Sequence, residues 1–174
     1  MSILIDKNTR LLVQGITGRE GIFHTQTMLE YGTHVAAGVT PGKGGQNLLF
    51  TIQGKTIGVP VFNTVREAVE KTDVNATVLF VPARFTPQGV YEVVDADIPL
   101  IITISEHTPA HDMMKCYYAA RQRGLRLFGP NSFGIISPGK CKAGFMAHQY
   151  YREGPVGVMS RSATNCYVRN LTPQ

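Results

Sequence analysis

Leu11-Leu12-Val13-Gln14-Gly15-Ile16-Thr17-Gly18-Arg19-Glu20-Gly21 is the stretch whose reading decides the fold. A short apolar run of β-forming residues ends at the first of three glycines set three apart, and an amphipathic segment follows directly. That order predicts strand, tight turn and helix. Glycine at such a turn permits φ > 0 and close backbone approach, and the helix start beyond it offers unpaired N–H groups and a positive dipole end to a phosphate. The spacing G-x-x-G-x-x-G is not the dinucleotide fingerprint G-x-G-x-x-G. Alone it is compatible with a phosphate site or with a plain strand-to-helix connection.

Working outward, the helix is predicted from about Glu20 to Tyr31, with Ile22, Phe23, Gln26 and Leu29 along one side and Gly32 as its stop. The strand His34–Thr40 completes a β-α-β unit and runs into Pro41-Gly42-Lys43-Gly44-Gly45. A site for NAD expects an Asp or Glu at the end of this strand to bind the ribose hydroxyls. None is present. A lysine among glycines fits a phosphate carried on the ribose, and two cofactors have one, NADP and coenzyme A; a flexible loop with an ordinary lysine is the other reading.

Farther along, Leu48–Ile52 and Lys55–Val59 flank Gln53-Gly54 as a hairpin, with a structural role expected. Thr64-Val65-Arg66-Glu67 has the capping-box pattern and starts a helix ending near Thr72. Ala76–Val81 is a fully apolar strand of the kind covered on both faces, and Pro82 ends it. Thr86-Pro87 reads as N-cap and first-turn proline for a helix to about Ala96, and Thr108-Pro109 repeats the device for a helix to Gly124. In that second helix Met113, Met114 and Tyr117 are expected in the core. Pro99–Ile104 and Leu125–Phe128 are further strands, delivering Ser105-Glu106 and Gly129-Pro130-Asn131-Ser132 to their ends.

Strand and helix thus alternate as in a doubly wound parallel α/β sheet, where ligands bind across the carboxyl ends of the strands at the switch point in strand order. Thr17 to Glu20, Pro41 to Gly45, Pro82 to Arg84, Ser105-Glu106 and Asn131-Ser132 all fall at such ends, so they describe one rim. After Ser137-Pro138-Gly139-Lys140 the chain reads as a linker, and Val156–Ser160 as one more strand before the hydroxyl-rich turn Arg161-Ser162-Ala163-Thr164.

Composition narrows the class. Of 174 residues, 43% are hydrophobic and 17% charged, which is ordinary for a folded globular chain. The net charge of +5 favours anionic ligands, but the basic residues are scattered, so nucleic acid is not implied. Cys116, Cys141 and Cys166 form no C-x-x-C pair, which fits a reducing compartment and argues against a zinc site. The opening residues turn polar too soon for a signal peptide, and no apolar run reaches the roughly 18 residues of a membrane helix. A cytoplasmic protein is expected.

With these segments placed, the chain resembles the α subunit of succinate-CoA ligase (succinyl-CoA synthetase) to about Tyr167. The stretches that carry the resemblance are Val13–Gly18, Gly38–Gly45, Val59–Val65, Ile101–Glu106, Gly129-Pro130-Asn131 and Ser160-Arg161-Ser162. The resemblance implies that residues 1–136 are a Rossmann-like domain binding coenzyme A, 137–155 a linker, and 156–174 the first strand of a truncated ligase domain or an added edge strand. It further implies that Thr17, Gly18, Arg19, Glu20, Lys43, Ile104, Ser105 and Glu106 bind coenzyme A and that a nucleotide-binding β subunit is the partner. In the family a histidine of the second domain is phosphorylated, the phosphoryl passes to succinate, and the thiol of coenzyme A attacks the acyl phosphate. None of His24, His34, His107, His111 or His148 matches that histidine, so no catalytic residue is expected in this chain, which is read as a fragment or a shortened relative. A stand-alone coenzyme A-binding module and an NADP-dependent oxidoreductase domain are the alternatives. Against the family pattern, Arg19 and Glu20 replace small or amide side chains, His107 a glycine, and Ser132-Phe133 a Cys-Pro. The loop from Gln46 to Thr56 is longer than usual, and Ala163, Asn165, Cys166 and Val168 also drift.

Overall fold

The computed structural model describes residues 2–162. Its main sheet contains β1 (Arg10–Gln14), β2 (His34–Val39), β3 (Asn47–Ile52), β4 (Lys55–Phe62), β5 (Ala76–Leu79), β6 (Leu100–Thr103) and β7 (Arg126–Phe128). The helices are α1 (Arg19–Glu30), α2 (Val65–Lys71), α3 (Thr86–Asp95) and α4 (Ala110–Gln122). The spatial order is β3-β4-β2-β1-β5-β6-β7, all parallel except β3, which pairs antiparallel with β4 across the turn Gln53-Gly54. The fold is therefore the Rossmann-like, doubly wound α/β sheet, with its switch point between β1 and β5.

Alternation along the strands divides the core. Leu11, Val13, Val78 and Ile102 face one side, where Met28 and Leu29 of α1 pack on them. Leu12, Leu79 and Ile101 face the other, against Val65 and Ala68 of α2, Val90 and Val93 of α3, and Met113, Cys116 and Ala120 of α4. Three helices cover the second face and only one covers the first. The stretch expected to be a linker fills the difference. Gly134–Ser137 and Cys141–Gly144 form an antiparallel hairpin, β8 and β9, whose Cys141 and Ala143 are buried in the α1-side core. Thr33 fastens it, its hydroxyl donating to the Lys142 carbonyl at 2.7 Å and accepting the Lys142 N–H at 2.9 Å. Cys-Lys-Ala-Gly carries none of the β-branched pattern that marks a strand, so a position against the sheet alone explains it.

The buried side of α1 is Gly21, Thr25, Met28 and Leu29, not the expected side with Ile22 and Phe23, which are exposed. The glycine turn sets that rotation: a Cβ on Gly21 would overlap the Gly15 carbonyl, so residue 21 must face inward and residues one and two turns later follow it. Two caps also differ. A 3₁₀ turn over Ala83–Phe85 runs into α3, so Phe85 is its N-cap and Thr86 lies inside the helix. Pro109 is the N-cap of α4, while the hydroxyl of Thr108 is buried with no hydrogen-bond partner. Of the expected α4 core residues only Met113 is buried, since α4 is an outer helix whose Met114 and Tyr117 look outward.

Val156–Ser160 forms no strand; Val156, Val158 and Met159 are exposed and pair with none of the described residues. At its end the Ser160 hydroxyl accepts the Ser162 N–H at 3.0 Å. Ala163, Thr164, Asn165, Cys166, Tyr167 and Val168 lie outside the described residues.

The Gly15–Gly21 contact makes a quantitative expectation. Gly21→Ala, whose new methyl meets backbone, should lower the unfolding free energy by about 3 kcal/mol. Gly32→Ala, at φ +92° in open space, should cost only about 1 kcal/mol. Urea denaturation of the two variants measures both.

Candidate functional site

The rim at the carboxyl ends of the parallel strands begins at Gly15. This residue has φ +74°, and a Cβ there would meet the Phe80 carbonyl at the end of β5. Only glycine serves both demands, and it brings β1, α1 and the switch point together. Gly18, the N-cap of α1, is extended at φ −73° with no side-chain cap, and its N–H donates to Gly15 O at 3.0 Å. The N–H groups of Arg19, Glu20 and Gly21 in the first turn have no helical acceptor. This is the arrangement that receives an anion.

Thr40, at the end of β2, links this turn to the next loop: its hydroxyl accepts the Thr17 N–H at 3.4 Å and donates to Val39 O at 2.8 Å. Lys43 is exposed in that loop, and its N–H donates to Thr40 O at 3.0 Å. Among the described residues no carboxylate pairs with Lys43, Arg19 or Arg84, and Arg84 lies over the Phe85 ring at 4.6 Å. Thr17, Gly18, Arg19, Glu20 and Lys43 therefore share one end of the sheet, with the Thr17–Thr40 hydrogen bond joining the two loops.

The segment after β6 is built differently. Ile104 packs against the core, and the Ser105 hydroxyl turns inward to donate to the Val81 carbonyl, tying the ends of β5 and β6. Ser132 does the same from beyond β7, donating to Thr103 O at 2.9 Å, and the Asn131 N–H donates to Ser105 O at 3.1 Å. Glu106 is exposed, 3.8 Å from His107 Nε2. His107, 91% exposed, has φ +60°, so the glycine that the family pattern places here matches a left-handed backbone.

Three polar residues, His24, Lys142 and Asn63, hold positions that sequence reading did not single out as chemistry. His24, on the second turn of α1, stacks on Phe80 with ring centroids 5.1 Å apart, and its Nε2 is 3.4 Å from Glu20 Oε2. Burial holds its pKa below the usual 6.5, with Glu20 pulling upward and Lys142 downward. Lys142, 3% exposed, reaches Thr27 Oγ1 at 3.4 Å, and burial lowers its pKa against a smaller opposing pull from Glu30. Asn63 accepts the Gly42 and Gly44 N–H groups on either side of Lys43 at 3.0 and 2.9 Å. No group of three or more His, Cys, Asp or Glu side chains among the described residues could hold a metal ion. No helix among them is long and apolar enough to cross a membrane.

A protein family described as the CoA binding domain matches residues 6–107. The α subunit 2 of the ADP-forming succinate–CoA ligase of Archaeoglobus fulgidus is 49% identical over 174 residues, covering 99% of this chain and 58% of the relative. The corresponding α subunit from Staphylococcus epidermidis is 47% identical over 176 residues, covering 100% of this chain and 56% of the relative. The chain thus spans little more than half the length of the curated relatives it matches. Among solved structures, ATP citrate lyase from Methanothrix soehngenii in complex with citrate and coenzyme A superposes with a TM-score of 0.74 over 82% of this chain and 24% of that one. At 22% identity it shares the fold.

Two expectations follow from the site. His24 is favoured neutral in the folded chain, so the unfolded chain binds more protons just below pH 6.5 and stability falls as the pH drops through that window. Denaturation midpoints at pH 7.5 and 5.5 should converge in His24→Asn relative to the parent chain. His107→Gly relieves the left-handed strain and should leave stability within about 1 kcal/mol of the parent or raise it, as read by thermal unfolding.

Proposed function

The chain belongs to the CoA-binding domain family, and from that premise we propose that it is the coenzyme A-holding part of a succinate–CoA ligase α subunit. The observation that carries the proposal is the second strand end. No carboxylate stands there to meet ribose hydroxyls, and Lys43, which pairs with no carboxylate among the described residues, sits in a glycine loop bonded to the turn at the start of α1. These donors fit the cofactor. First-turn N–H groups and Arg19 suit a pyrophosphate, and Lys43 suits a ribose phosphate. The strand ends closed by Ser105 and Ser132 leave a rim for a pantetheine arm.

Bound coenzyme A supplies a thiol for acyl transfer. What this chain's own residues do is anchor and orient. The N–H donors are fixed by the fold before any ligand arrives, so little ordering is spent on binding. Ser105 and Ser132 keep the ends of β5, β6 and β7 in register beside them. The histidines are given no covalent role: His24 is packed against Phe80, and His107 stands open on its loop. Both relatives, as α subunits, extend well beyond the matched length. We assign the phosphoryl chemistry to a following domain and to a nucleotide-binding β subunit, with the assembly in the cytoplasm.

Calorimetric titration tests the reading. The chain should bind coenzyme A more tightly than dephospho-coenzyme A, and NADPH should not compete. Lys43→Ala should weaken coenzyme A by about tenfold, one charge-assisted contact, and leave dephospho-coenzyme A unchanged. Equal affinity of the parent chain for the two ligands, or preference for NADPH, would sink it.

A further inference from the structure

Resting on the coenzyme A reading above, we propose that Asn63 is the residue that positions Lys43, and thereby sets how strongly the chain distinguishes a ribose phosphate from a bare ribose. The loop is built around this one carboxamide. A single oxygen, Asn63 Oδ1, accepts the N–H of Gly42 at 3.0 Å and of Gly44 at 2.9 Å, the residues before and after Lys43. A Cβ on Gly44 would overlap the Asn63 side chain, so glycine there is what lets the carboxamide in. The loop is pinned at its ends as well, by Lys43 N–H to Thr40 O at 3.0 Å and Gly45 N–H to Val61 O at 2.9 Å.

Asn63 is itself held. Its backbone N–H donates to Glu67 Oε2 at 2.9 Å, and the Glu67 N–H donates to Thr64 Oγ1 at 3.2 Å. The capping box of α2 therefore fixes the residue that fixes the loop, and Asn-Thr-Val-Arg-Glu works as one device. Without the carboxamide, Gly42, Gly44 and Gly45 would let the lysine wander, and a phosphate would have to order it on binding. The chemistry also favours Asn over Asp. A carboxylate could accept the same two N–H groups, but it would set a negative charge beside the cation and the anion it is to receive.

Asn63 is exposed, so its replacement leaves the core intact. The test titrates coenzyme A and dephospho-coenzyme A into the 174-residue chain as parent, Asn63→Ala, Asn63→Asp, Lys43→Ala and the Ala/Ala double variant. Asn63→Ala should lose about tenfold on coenzyme A and less than about twofold on dephospho-coenzyme A. The double variant should bind no more than about twofold weaker than Lys43→Ala, because the two residues act through one contact. Asn63→Asp should lose the preference while still protecting the Gly42 and Gly44 amides from hydrogen exchange, whereas Asn63→Ala exposes them even without ligand. Retention of the parent's preference in Asn63→Ala, additive losses in the double variant, or equal weakening of both ligands would overturn the inference. A parent chain with no preference at all would instead overturn the reading on which it rests.

Discussion

The close passage of Gly21 beside the Gly15 carbonyl, which leaves no room for a Cβ, is the constraint on which the rest of the molecule depends. Neither residue could carry a Cβ without driving it into backbone, and Gly15 must also hold a positive φ. Gly38 extends the same requirement to β2, where a Cβ would strike the Ile16 side chain. Together they let β1, β2, β5 and the start of α1 converge more closely than side chains permit. The rotation of α1 follows from this convergence, and with it the burial of Thr25 and Met28 and the placing of His24 against Phe80. The same convergence also leaves the first-turn N–H groups of α1 at an open rim. One steric demand thus produces both the packing and the anion site.

The uneven covering of the two sheet faces has its own consequence. Three helices on one face and one on the other leave a gap that a four-residue strand pair closes, and closing it carries Lys142 into the interior. A lysine whose amine bonds a threonine hydroxyl, with Glu30 opposing the effect of its burial only weakly, is costly to bury charged. Its lowered pKa and that of His24 express the same burial on the α1 side. The hairpin therefore completes the core on the α1 side and carries a cation into it.

What was legible in the sequence follows from range. The strands β1 to β7, the α1 start, the β3–β4 turn and the capping box of α2 are local: their causes lie within a few residues, and the periodicities state them plainly, whereas Val156–Ser160 has a strand's composition but no neighbour among the described residues to pair with. The expected N-caps Thr86 and Thr108 failed because a 3₁₀ lead-in and a proline shifted each start by one residue. The expected apolar side of α1 failed because a glycine contact, not hydrophobicity, sets its rotation. The β8–β9 hairpin was hidden because Cys141 and Ala143 are buried by a need of the whole sheet. Of the candidate site, the glycine turn at the start of α1 and the exposed loop of Lys43 could be read as positions on the rim, since glycine spacing and the acid-free strand end are local. Thr40 and Asn63 could not, because they act on residues about twenty positions away.

Those longer-range bonds carry the proposed preference of the site. A glycine turn at a helix start accepts any phosphate, since N–H groups and a dipole carry no preference among phosphorylated ligands. In the proposed reading, preference enters at the second loop, where Lys43 stands apart from the first site. The hydrogen bond from Thr17 to Thr40 fixes that distance along the rim, and the carboxamide of Asn63 fixes the loop from below. Both are polar side chains of modest size, and neither need touch a ligand to matter. Specificity for a cofactor that bears two separated phosphate groups is then a property of the bonds between the loops, added to an anchor that the fold makes for its own steric reasons.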